Sequence, residues 1–198
     1  LIPAGTSFFM RDTGEPSAPV NPVVFTSFVR NYRWLWVSSL VLVGITGVVS
    51  SLYPQYSGAS SESLGYWIAG MSVATIGAAL AASRVSLPPV PAIRWSAVLM
   101  AAGVVFAFFS PGGFPVLGAL AGIVMIAQMA LLAGVKEHQG VVMGLFSTTS
   151  YLGMAILPFI AGLVADRAGF FLAFCITAFC AILVAVTIGK CRVPERTP

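Results

Sequence analysis

Apolar residues along this chain come in long runs rather than in stripes. From residue 34 onward, six such runs alternate with short polar breaks: 34–53, 64–83, 92–110, 114–135, 141–165 and 170–189. As helices at about 1.5 Å per residue, runs of about 20 residues cross a hydrocarbon layer some 30 Å thick. Barrel strands would alternate apolar and polar positions, and these runs do not. The pattern predicts an all-α polytopic membrane protein with a six-helix transmembrane bundle over 34–189. The segment before it, 1–33, divides in two. Its first ten residues, LIPAGTSFFM, read as the end of a preceding helix, and residues 11–33, rich in proline and charge, read as a loop. With no methionine at position 1, this start also reads as that of a fragment. Residues 190–198 form a basic tail.

Composition agrees with the pattern. Of 198 residues, 58% are hydrophobic and 8% charged, with a mean hydropathy of +0.96. A soluble domain carries about 25% charged residues, so these few could not clothe a water-facing surface. The net charge of +4 points to topology, not to nucleic acid, because the charges flank the apolar runs. Arg11, Arg30, Arg33, Arg84, Arg94, Lys136, Lys190, Arg192 and Arg196 fall on one side of the layer, and Arg167 alone falls on the other. The basic side is cytoplasmic by the positive-inside rule. Both chain ends then lie in the cytoplasm and Pro54–Ser63 lies outside. Trp34, Trp36, Tyr53, Tyr66, Trp67 and Trp95 sit near run ends, where an aromatic belt belongs.

Nothing here forms a catalytic set. The lone histidine, His138, lies in the link KEHQG, and no acid, lysine or histidine lies deep in a run. No phosphate-cradling GxxxxGK[ST] occurs. Cys175, Cys180 and Cys191 lack metal-ligand spacing. No enzyme activity, cofactor or metal is expected, and a proton relay would need a buried acid that these runs do not supply.

What remains is uncharged polarity. Ser39, Thr46 and Ser50 share one face of the first run, and Ser72 and Thr75 share one face of the second. Gln128 is the amide of the fourth run, and Gly144, Thr148, Tyr151 and Ala155 make a stripe on the fifth. Such groups either line a polar cavity or bond their own preceding turn and neighbouring helices. Thr46, Ser50, Ser72, Thr75, Gln128, Thr148 and Tyr151 are the candidate cavity residues, with Gln128, Thr148 and Tyr151 facing its centre. Gly118 and Gly122 form a GxxxG pair, read as tight packing within the chain or as a dimer face. Pro54 is expected to break the first helix between Tyr53 and Tyr56, as a gate or a turn. Pro158 is expected to kink the fifth, as a hinge or a fixed bend.

The layout resembles the C-terminal half of a major facilitator superfamily transporter. SSLYPQYSG resembles the end of that family's seventh helix. ILPFIAGLVADRAGFFLAF resembles its eleventh helix, turn and twelfth helix, with Gly162, Asp166, Arg167 and Gly169 carrying the match. The link SRVSLPPVPAIR departs from the corresponding family loop in lacking its glycine, aspartate and basic pattern. The resemblance implies twelve helices in the full protein, with an N-terminal six-helix half as the chief partner besides the lipid bilayer. It also implies a small-molecule substrate held between the halves, in a cavity lined by helices seven, eight, ten and eleven. The expected setting is a prokaryotic cell membrane, and the expected activity is secondary active transport by alternating access, as in a permease. A self-pairing half-transporter and a non-transporting scaffold subunit are the alternatives. Asp166 and Arg167 are read as structural, the carboxylate capping the start of the sixth helix.

Overall fold

The structure is a computed structural model, and it describes residues 29–30, 32–85, 87–134 and 139–190. The loop expected before residue 29, the link carrying His138 and the tail beyond 190 lie outside the described residues. Six α-helices follow in order: α1 Arg33–Ser57, α2 Ser61–Ser83, α3 Pro89–Phe109, α4 Gly113–Ala133, α5 Gln139–Ala168 and α6 Phe170–Thr187, closed by a short 3₁₀ turn, Ile188–Lys190. The described residues contain no strand. All six helices are long and apolar enough to cross a membrane.

α1 runs on through Pro54 to Ser57 and ends at Gly58, a left-handed cap with φ 61°. The expected break at Pro54 does not occur. Proline removes one ladder hydrogen bond, and here tertiary anchoring of the last turn outweighs that loss. The Tyr56 hydroxyl donates to the Phe108 carbonyl at 3.0 Å, and its ring stacks on Phe108 at 4.9 Å. Gln55 turns its amide back onto the Ser51 carbonyl at 3.1 Å. Tyr53 completes the clasp edge-on to Phe114 at 5.0 Å.

α1 is the hub. It packs most extensively on α5 and also meets α3, α4 and α6. Leu35, Leu42, Ile45, Val48, Val49 and Leu52 are wholly or almost wholly buried. Behind it, α3 and α6 close on each other through small and branched residues, Ala97, Val104 and Ala107 on one helix and Ala173, Ala181 and Val184 on the other. Small residues let backbones approach where lipid offers no hydrophobic drive between helices.

α2 lies at the rim. Its chief neighbour is α4, and Ala82 is its single buried residue. Tyr66, Val73, Ile76 and Leu80 face outward, as do Trp95, Phe109 and Phe159 elsewhere. So broad an apolar exterior would aggregate in water and suits a lipid surround.

Two helix pairs meet through a glycine set against the partner's carbonyl. On α1 and α5, a Cβ added to Gly44 would stand 2.6 Å from the Gly153 carbonyl oxygen, and one on Gly153 would strike the Leu40 carbonyl. On α4 and α2, Cβ atoms at Gly118 and Gly122 would strike the carbonyls of Met71 and Thr75. The GxxxG pair therefore seats α2 within this chain.

Candidate functional site

Between these two glycine-joined pairs lies a cavity of about 430 Å³, a size common for small-molecule sites. Its walls come from α1, α2, α4 and α5, and none of its lining residues belongs to α3 or α6. α1 contributes Leu42, Val43 and Thr46, and α2 contributes Met71 and Thr75. α4 presents Met125 and Met129, and α5 presents Met143, Ser147, Ser150, Tyr151 and Met154 among others. The cavity is open on one side, and Tyr151 is 71% exposed.

Three of the expected residues, Thr46, Thr75 and Tyr151, are on this wall. The threonine hydroxyls face their own helices. Thr46 donates to the Val43 carbonyl at 2.7 Å and Thr75 to the Met71 carbonyl at 2.8 Å. Ser150 shares a 2.7 Å hydrogen bond with Ser39 across the α1–α5 contact. Tyr151 and Ser147, one turn apart, have no hydrogen-bond partner among the described residues.

The other expected residues sit elsewhere. Ser50 is half-buried and donates to the carbonyls of Thr46 and Gly47. Ser72 is exposed on α2 and donates to Ile68 at 3.1 Å. Thr148 is exposed and donates to Gly144 at 2.8 Å. On α5 the wall runs through 143, 147, 150 and 154. It is turned by about one residue, or 100°, from the expected stripe of Gly144, Thr148 and Ala155. Tyr151 lies at the edge the two stripes share.

Gln128 is 0% exposed and is not at the centre of the cavity. Its helical phase is that of the wall residues Ala121, Val124 and Met125, but at its depth α1 covers it. Its Nε2 donates to Ser38 Oγ at 3.1 Å, and Ser38 donates onward to the Leu35 carbonyl at 2.7 Å. That onward bond uses the serine proton, so the amide nitrogen, not the oxygen, must face Ser38. Gln128 Oε1 is left without a partner, as is the buried Trp36 Nε1. Adjacent Ser38 and Ser39 thus tie α1 to α4 and to α5.

Asp166 and Arg167 are both exposed in the last turn of α5. Asp166 does not cap α6, whose N-cap is Gly169 at φ 92° with no side-chain bond. That positive φ explains a glycine there, since other residues are strained in it. Arg167 suits the negative end of the α5 dipole. Gly162 is half-buried with open space around its Cα.

The wall's dominant chemistry was not legible helix by helix. Five of the seven methionines in the chain, Met71, Met125, Met129, Met143 and Met154, line this one cavity. A faint signal exists in Met125 and Met129, one turn apart on one face. The convergence of three helices on that face is a tertiary fact. Among the described residues, no group of His, Cys, Asp or Glu is placed to hold a metal ion.

Compared with known proteins, the chain matches no family model and finds no significant match among curated proteins.

Proposed function

We propose that this chain is one six-helix half of a secondary transporter of the major facilitator type, moving a small solute by rocking against a second half. The observation that carries the reading is the cavity: it is walled by the first, second, fourth and fifth helices, with the third and sixth excluded. Those four correspond to the cavity helices that the sequence resemblance implies. The exchange of partners adds support. α1 pairs with α5 and α4 pairs with α2, each through a glycine–carbonyl contact, as expected if residues 33–109 and 113–187 are two three-helix repeats of opposite orientation. In this reading the basic ends of the helices face the cytoplasm of a prokaryotic cell, and the open side of the cavity faces the second half.

Cysteine accessibility tests the proposal. Thr46→Cys and Tyr151→Cys are made in a background lacking the native cysteines and treated with an impermeant thiol reagent on oriented vesicles. Alternating access predicts that each site reacts from one face at rest, and that an imposed proton or sodium gradient changes which face. Sites that stay unreactive from both faces, with the protein folded, would instead mark a bundle that only holds helices together.

A further inference from the structure

The cavity's lining names the kind of solute it suits, and this inference rests on the transport reading only for what happens after binding. No charged residue is on the wall. Three of its hydroxyls, on Thr46, Thr75 and Ser150, are already engaged by the protein. The α4 amide, on Gln128, is buried against Ser38 and is not on the wall. A sugar, an amino acid or a nucleotide would bring many polar groups to a surface with few free partners, and each unmet group would lose its water without replacement.

What the wall offers instead is sulfur and rings. Five methionines converge with Phe146 and Tyr151, and Met125, Met143 and Met154 are exposed to the opening. The thioether is polarizable, its chain is unbranched, and it makes favourable contacts at aromatic ring edges. Such a wall moulds to flat apolar molecules of varied outline. The free hydroxyls, Ser147 and Tyr151, lie one turn apart on α5 and make a single polar edge.

We infer that the cavity binds an uncharged aromatic solute of low polarity, its rings against the methionines and one hydrogen-bonding group on Ser147 and Tyr151. A soft monovalent cation held by thioethers is the rival occupant. It is disfavoured because two phenyl-bearing side chains and several aliphatic ones share the wall and no anionic ligand is present to balance the charge.

The test uses the 198-residue chain in lipid nanodiscs, with N-phenyl-1-naphthylamine as probe and empty discs subtracted. Saturable fluorescence enhancement is expected, competed by other uncharged bicyclic aromatics but not by glucose or alanine. The double variant Met125→Ser, Met143→Ser is expected to weaken binding about tenfold or more, because it replaces apolar area with hydroxyl. Met125→Leu, Met143→Leu keeps the apolar volume and is expected to hold affinity within about threefold. Ser147→Ala with Tyr151→Phe is expected to weaken the probe about fivefold. Thermal melts of every variant check folding, and the leucine pair keeps the test decisive if the serine pair fails to fold. Three results overturn the inference: no saturable binding by the folded wild-type chain, competition by glucose or alanine, or loss of binding in the leucine pair together with tight silver(I) binding by wild type. Flux of the probe is read separately, in native membrane vesicles that hold this chain together with its second half. Binding without flux removes the transport reading and leaves the ligand class, whereas glucose or alanine flux without probe binding does the reverse.

Discussion

The two walls of the cavity are built by the same device and differ in what stands behind them. On one side, α1 meets α5 through Gly44, Gly47 and Gly153. On the other, α4 meets α2 through Gly118 and Gly122. Yet α1 is enclosed by four helices, and its contact with α5 is reinforced by the Ser39–Ser150 hydrogen bond. α2 has α4 as its chief neighbour and buries only Ala82 fully. The same glycine contact is therefore a keystone in one wall and a hinge-like attachment in the other. What a close approach is worth depends on whether the neighbouring helix is free to retreat.

The largest expected effect tests that asymmetry directly. Gly153→Val drives a side chain into the Leu40 carbonyl of the hub helix, which has no direction in which to yield. It is expected to cost about 3 kcal/mol and to abolish the cooperative melt of the whole bundle. Gly118→Val makes the same collision with the Met71 carbonyl, but α2 can move outward as a body. Its global melt is expected to shift little while a cysteine placed at Gly70 gains reactivity. Equal loss of the global melt in both variants, measured by SDS titration followed by circular dichroism, would erase the distinction between the walls.

A smaller effect isolates the extra bond in the α1–α5 wall. Ser39→Ala leaves Ser150 at the cavity with a free hydroxyl and is expected to lower unfolding free energy by about 0.6 kcal/mol, the average for such bonds in membranes. A loss several times larger in the same titration would mean that the serine pair, rather than the glycines, holds this wall.

The smallest effect concerns the joint between the walls. Gln128→Leu removes one hydrogen bond to Ser38 but also removes a buried oxygen that has no partner. The two terms oppose each other, so the net change is expected to stay within about 0.5 kcal/mol of zero. In the same titration, a loss above about 2 kcal/mol would show that Oε1 has a partner after all, such as a bound water.

Much of the architecture was readable in the chain because it depends on local composition. Six apolar runs imply six helices, since hydrocarbon forces each backbone to satisfy its own hydrogen bonds. Boundaries followed less well. Pro54 looked like a stop because proline costs a local hydrogen bond, and the helix continues because Tyr56 is anchored on Phe108, 52 residues away. The cavity was legible in part. Thr46, Thr75 and Tyr151 lie on it, but hydroxyl content was a poor guide to the wall, because a serine or threonine can satisfy itself on its own helix and so faces wherever packing leaves it. On α5 that error amounted to one residue of rotation.

Gln128 separates the two kinds of information most clearly. Its helical phase, set by the backbone repeat, is that of the cavity wall. Its depth relative to α1, set by how the two helices cross, puts Ser38 over it and takes it out of the cavity. The five methionines make the same point in reverse: unremarkable on their separate helices, they become one surface when three helices converge. That these helices form, and that their exteriors suit lipid, follows from the affinity of each residue for its immediate surroundings and is legible in the chain. Which faces meet, and at what depth, emerges only on packing, because in an apolar surround helix contacts are chosen by shape and close approach, and those belong to pairs of helices rather than to either one.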